Sequence, residues 1–509
     1  MLDQVKKTVK HSIIYSVGNA ANKLVGFILL PLYTSTFSVA IYGVLALFDT
    51  ISDFLLTFSS FGIVEALKRW YWDKNAEGKQ RSMFFTVIMF TMISVIFFLV
   101  ICYLLLGKYS LEIFDVTISN RTVLLFLGSV LTNVLLQRML ILLRIQQKAM
   151  QNMIFNIVKL VFVLSSTVFF IVALDWGMDS VFISRLIGQS ITLLFLLPLF
   201  IRNCEIKLEF SLLKDMLAYS WPLALSASLG LILTLSDKWL LRGMAGLDVV
   251  GNYALAFRIS NVVKLLVVQS FAQAFVYIYF KQMDNEKNYR FFSKTLTYFA
   301  LLLAALGLVI VLFSKEIIVL LANNADYYDS YNILPFLILS VSFAGLRQML
   351  VLPMQKYKKT KLISIIIFSA GLLNISLNLL FIPIWGGVGA AIATAVTQFL
   401  VVVTYLLLNS RYADFRYEVK KIFGLFALAA LFAYAGIQLG GMVLGWRLVV
   451  KMALLLSFPF VLRIFGFYEK IELLRIKQSW QKWRNPRRWA DNMKQINLTE
   501  KSSKKEKEE

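Results

Sequence analysis

Ser82-Met-Phe-Phe-Thr-Val-Ile-Met-Phe-Thr-Met-Ile-Ser-Val-Ile-Phe-Phe-Leu-Val-Ile-Cys-Tyr-Leu-Leu-Leu106 runs without one charged side chain. As a helix rising about 1.5 Å per residue, a stretch of this length crosses the roughly 30 Å hydrocarbon core of a bilayer. The chain repeats the pattern about fourteen times, each time with roughly 18 to 25 apolar residues and a short polar break. The first run is 12–34 and the last is 445–466. Water-soluble cores have no use for so many. The fold class read from this pattern is an all-α polytopic membrane protein with about fourteen transmembrane helices.

Composition bounds the rest. The chain has 509 residues, 59% of them hydrophobic, with mean hydropathy +0.72. The spans fit that content and leave short loops, with no room for a large soluble domain. In a soluble protein the net charge of +23 would suggest nucleic acid. Here the bases gather in alternate loops, so topology explains them and no nucleic-acid partner is expected. One face receives Lys68, Arg69, Arg144, Lys148, Arg202, Lys207, Lys214, Lys356, Lys358 and Lys359, among others. The other receives far fewer: Lys108, Arg121, Arg242, Lys315 and Arg447. The asymmetry predicts both termini in the cytoplasm.

Cys102 and Cys204 lie on separate segments, and His11 is the one histidine. They build neither a disulfide framework nor a zinc site, and His-based catalysis is not expected. The first apolar run lacks a small-residue cleavage site, so a cleavable signal peptide is not expected. After residue 468 the material changes. Trp480, Trp483 and Trp489 stand among Lys477, Lys482, Arg484, Arg487 and Arg488. That tail reads either as a solvated extension or as an interfacial helix held by anionic lipid and indole anchoring.

An internal repeat suggests how the spans are grouped. Gly43 to Ser52 lies over Gly251 to Ser260, matching glycine, alanine, leucine and the final Ile-Ser at one offset. The offset equals six spans, and an even number keeps both copies in the same orientation. The expected organisation is a short N-terminus (1–11), a six-helix lobe (12–205), a second six-helix lobe (206–410), two added helices (411–468) and the basic tail (469–509).

Polar residues recur inside the spans at helical spacing. Asn19, Asn22 and Lys23 share one face of the first span; Asp49, Ser52 and Asp53 share one face of the second. Further along stand Asn133 and Gln137, then Asn156 and Lys159, then Arg185 and Gln189. The second half has Asp237 and Lys238, Arg258, Asn261 and Lys264, Arg347, and Asn374 with Asn378. An ionisable group at the membrane midplane costs at least about 2.5–3.5 kcal/mol, so these residues should face a cavity or a partner. Lys238 has two readings, snorkelling or pairing with Asp237. Asn374 and Asn378 read as interhelical glue or as ligand contacts.

Fixed cations in such a cavity suit a phosphate-bearing substrate, because Arg offers a planar fork of donors and Lys a point charge. An exporter of organic cations would want the reverse. Asp49, Asp53 and Asp237 are candidates for gating or for coupling to H⁺ or Na⁺. No nucleotide-binding loop is present, and no loop is long enough for a catalytic domain. No metal site and no cofactor other than a coupling ion are expected, and the chain reads as a transporter rather than an enzyme.

Several stretches resemble the polysaccharide flippases, the O-antigen and exopolysaccharide branch of the multidrug/oligosaccharidyl-lipid/polysaccharide (MOP) exporter superfamily. They are Leu30-Pro-Leu-Tyr-Thr34, Tyr42-Gly43, Phe61 to Arg69, Tyr219-Ser-Trp-Pro222, Asp237-Lys238, Gly251-Asn-Tyr253, and Gly371 through Ala391. The resemblance implies two parallel six-helix bundles around a central cavity, plus two C-terminal helices. It implies alternating-access transfer of an undecaprenyl-pyrophosphate-linked oligosaccharide across a bacterial cytoplasmic membrane. Membrane lipids, and a polysaccharide polymerase, are the implied partners. Matching cavity cations are Lys23, Arg69, Lys159, Arg185, Arg258, Lys264 and Arg347. Candidate sugar contacts are Asn19, Asn22, Asn156, Gln189, Asn261, Asn374 and Asn378. The competing reading is a multidrug or small-solute antiporter of the same superfamily.

Overall fold

The computed structural model describes residues 25–73, 76–282, 289–322, 324–412 and 417–469. Among the described residues there is no strand. Ten helices among the described residues are long and apolar enough to cross a membrane. The chain divides into two compact units, Met1–Glu418 and Val419–Glu509. Both predicted six-helix halves therefore belong to one compact unit, and the added helices form the other.

The first part of the larger unit contains α1 (Leu30–Thr36), α2 (Val39–Phe58), α3 (Ile63–Trp70), α4 (Gln80–Phe114), α5 (Asn120–Ile145), α6 (Ala149–Val168) and α7 (Asp179–Asn203). Ser38 opens α2 by accepting from the Ile41 N–H, and Ser119 opens α5 by accepting from the Thr122 N–H. Such caps satisfy backbone donors that the first helical turn leaves unpaired. Asp179, in the first turn of α7, accepts from the Thr122 hydroxyl at 2.5 Å and pairs with Arg121 at 3.2 Å. One carboxylate thus complements a helix dipole and pins two helix starts together. α5 and α6 both pack on α7. Asn152 of α6 is fully buried and donates to the Leu140 carbonyl of α5 at 3.0 Å.

The second part contains α8 (Phe210–Ala245), α9 (Leu247–Val263), a π-helical turn (Lys264–Gln269), α10 (Ser270–Gln282), α11 (Tyr289–Leu312), α12 (Ser314–Leu321), α13 (Ser330–Leu350), α14 (Leu352–Lys356) and α15 (Thr360–Tyr412). α15 covers two predicted spans. The break that the sequence reading placed between them is present: Gly386, with φ 53° and ψ −128°, turns the chain back so that Asn374 of the first arm donates to Thr394 of the second at 3.4 Å. That conformation is open to glycine and strained for other residues.

The two parts meet where α2 packs along α8 and α9. Gly43 and Gly251, paired by the internal repeat, face each other at that crossing. A Cβ on Gly43 would lie 2.5 Å from the Leu247 carbonyl oxygen and 3.1 Å from the Gly251 nitrogen; one on Gly251 would overlap the Val39 carbonyl. The glycines let the two helix backbones touch, as small residues do in membrane bundles. This close approach brings the polar faces of α2 and α9 together.

The smaller unit holds α16 (Val419–Gln438) and α17 (Leu444–Ile464), joined by a 3₁₀ turn at Leu439–Gly441. Phe432 and Phe458 meet edge to face at 5.5 Å. The expected interfacial helix in the tail lies outside the described residues.

Candidate functional site

A cavity of about 590 Å³ lies between α2, α5, α6, α7, α8, α9 and the π-helical turn. Five cations line it, Lys159, Arg185, Lys238, Arg258 and Lys264, against two carboxylates, Asp49 and Asp53. The cations come from polar stripes on five helical segments, brought inward because an amphipathic helix in a bilayer turns its polar face away from lipid.

Asp49 is the hub. Its carboxylate accepts from Arg185 of α7 at 2.7 Å and from Arg258 of α9 at 3.1 Å, one oxygen for each guanidinium. Arg258 also donates to the Gly26 carbonyl at 3.4 Å and stands 5.5 Å from the Tyr42 ring centroid. Lys238 donates to the Ala46 carbonyl at 3.4 Å and lies over the Phe257 ring. Within the cavity, Arg258 bonded to Asp49 and Gly26, and Lys238 bonded to Ala46, tie residues of the second half to the first. Lys159 makes no hydrogen bond or ion pair with any described residue. Around it stand Asn133 and Gln137 of α5 and Gln189 of α7, whose Oε1 accepts from Thr132 at 2.6 Å.

Asp237 and Lys238 part company. Neighbouring residues on a helix point about 100° apart, and here one of them faces this cavity while the other does not. Lys238 does. Asp237 turns the other way and accepts from Tyr253 at 2.9 Å, Asn378 at 2.7 Å and Thr394 at 2.9 Å. Of the two readings of Lys238, neither describes its position. It is a cavity cation that the sequence reading left out, and its mid-helix location was the available signal.

A second, smaller cavity of about 130 Å³ opens between α8, α9, α13 and α15. Asp237, Lys264, Arg347 and Asn374 line it, and Phe257, Asn261 and Lys264 line both cavities. Arg347 thus stands apart from Lys159, Arg185 and Arg258, and shares its cavity with Lys264. Asn378 is fully buried in the Asp237 network and also donates to Asn374 at 3.1 Å. Asn156 is fully buried and donates to Asn152 within α6. Arg69 is exposed at the end of α3, stacked over Trp70 and Tyr219 at 5.0 and 4.6 Å. Arg69 and Asn156 do not line the cavity. Asn19, Asn22 and Lys23 lie outside the described residues. Among the described residues no cluster of His, Cys, Asp and Glu is arranged to hold a metal ion.

Residues 8–283 match the polysaccharide biosynthesis protein family. The chain belongs to that family. Among curated proteins, none matches the sequence. The fold is shared with solved structures of low sequence identity. The lipid II flippase MurJ, in an inward closed conformation, superposes with TM-score 0.71 at 16% identity, over 89% of this chain and 99% of its own. An inward-facing multidrug resistance MATE transporter of the MOP superfamily gives TM-score 0.58 at 14% identity, over 79% of this chain and 96% of its own. This polysaccharide biosynthesis protein is accordingly an all-helical, multi-pass membrane protein.

Proposed function

We propose that this protein is a flippase carrying an undecaprenyl-pyrophosphate-linked oligosaccharide across a bacterial cytoplasmic membrane, with both termini in the cytoplasm, and that it is not an enzyme. The observation that carries the reading is the cavity in which Asp49 holds Arg185 and Arg258 together beside Lys159, Lys238 and Lys264. A pyrophosphate entering a site walled off from bulk water needs donors that replace its hydration, and paired guanidinium forks supply them. The pyrophosphate displaces Asp49 from the two arginines, which removes one contact between the halves. The amides of Asn133, Gln137, Gln189 and Asn261 then meet the first sugars, while the polyprenyl tail stays in lipid. Asp237 is the candidate seat for a coupling H⁺ or Na⁺, being a buried carboxylate that accepts from three neutral donors.

In a deletion strain with its polysaccharide pathway intact, lipid-linked repeat units should accumulate on the cytoplasmic leaflet while surface polysaccharide is lost. No accumulation and a normal surface would reject the proposal. The second reading, a multidrug or small-solute antiporter, is favoured by the buried Asp237 and by the MATE fold likeness. It predicts altered drug susceptibility in the same strain.

A further inference from the structure

The smaller cavity holds a cation that the proposed transport cycle does not use. Arg347, on α13, lines a space of about 130 Å³ whose wall is largely apolar surface, and makes no hydrogen bond or ion pair with any described residue. A guanidinium in the interior of a membrane bundle without a counter-charge is costly, and such residues ordinarily face a partner or a ligand. Asp237 lines the same cavity, but its oxygens are engaged by Tyr253, Asn378 and Thr394. The Gln398 amide also lines the cavity, and its buried Oε1 has no donor. An amide can present its NH₂ end in that place equally well, since the two ends are alike in shape. Ser340 and Thr397 add hydroxyls to the lining, although both spend their protons on carbonyls of their own helices.

We infer that this cavity is a second oxyanion subsite, in which Arg347 and Gln398 take a carboxylate or a phosphate group, separate from the seat at Arg185 and Arg258. The planar Arg fork matches either group with two parallel donors. Asn261 and Lys264 stand on the wall shared with the larger cavity, so the ligand has two sources. One is an acidic sugar on the same lipid-linked substrate, reaching through from the main cavity; the other is a free anion. The first source rests on the flippase reading; the subsite itself does not.

The test uses the full chain in nanodiscs of neutral lipid, with binding of inorganic phosphate followed by ³¹P NMR. An Arg185→Gln/Arg258→Gln variant should keep a phosphate site. Adding Arg347→Gln should weaken that site about tenfold or more, the loss expected for a charged hydrogen-bonding partner. Arg347→Lys should fall between, since it keeps the charge without the fork. Equal binding with and without Arg347→Gln, at an unchanged unfolding midpoint, would overturn the inference. The source is then read with two polyprenyl-pyrophosphate glycolipids, one neutral and one bearing a uronate. Tighter binding of the uronate form that Arg347→Gln abolishes assigns the site to an acidic sugar, and equal binding assigns it to a free anion. If neither glycolipid binds while phosphate still does, the flippase reading fails and the subsite stands.

Discussion

Replacing Asp49 by Asn tests whether the cavity holds its own counter-anion in reserve. In the structure each Asp49 oxygen takes one guanidinium, at 2.7 Å from Arg185 and 3.1 Å from Arg258. A charged hydrogen bond contributes about 1.5–3 kcal/mol. The Asp49 side chain is 28% exposed and the arginines 27% and 24%, so cavity water screens the pairs and the low end of that range applies. Asn keeps one neutral acceptor and loses the charge. The competition that pyrophosphate must overcome should therefore fall by about 1.5 kcal/mol, or roughly tenfold in dissociation constant. The same change leaves nothing to displace the bound anion, so release and turnover should slow by a similar factor. Binding is measured with a fluorescent polyprenyl pyrophosphate in nanodiscs, and transfer by leaflet-specific quenching in proteoliposomes. Tighter binding with slower transfer is the expected pair of results. Weaker binding would refute the displacement argument, because it would mean that Asp49 chiefly orients the arginines for the ligand.

Three other outcomes follow from the geometry. Gly251→Ala places a methyl against the Val39 carbonyl, a backbone atom that cannot rotate aside; overpacking of this kind costs about 1–3 kcal/mol and should lower the thermal unfolding midpoint of the purified protein. Arg69→Gln, outside the cavity and stacked on Trp70 and Tyr219, should leave pyrophosphate affinity within about twofold of wild type, because it removes no cavity charge; a tenfold loss would return Arg69 to the site. Burial pushes the Cys204 thiol up to about 12 against the opposing pull of Arg81, so maleimide labelling of Cys204 at neutral pH should be slow and should rise with pH until the protein unfolds. Fast labelling at pH 7 would contradict that environment, since the thiolate is the reactive form.

The sequence by itself determined that the chain spans a membrane as helices, because runs such as Ser82 to Leu106 have one physical solution in lipid, where backbone groups must be satisfied within the segment. It also determined which residues avoid lipid. Lys159, Arg185, Arg258, Lys264, Asp49 and Asp53 all line the cavity, since helical spacing fixes the face on which a polar residue sits. Spacing along one helix, however, carries no information about which neighbour that face meets. Only the tertiary structure decided that Asp49 bridges arginines from both halves, that Lys238 and not Asp237 faces the main cavity, and that Arg347 stands in a separate one. Those outcomes depend on how α2, α8, α9 and α13 rotate against one another in packing, and a rotation of one residue, about 100°, exchanges one side chain for the next.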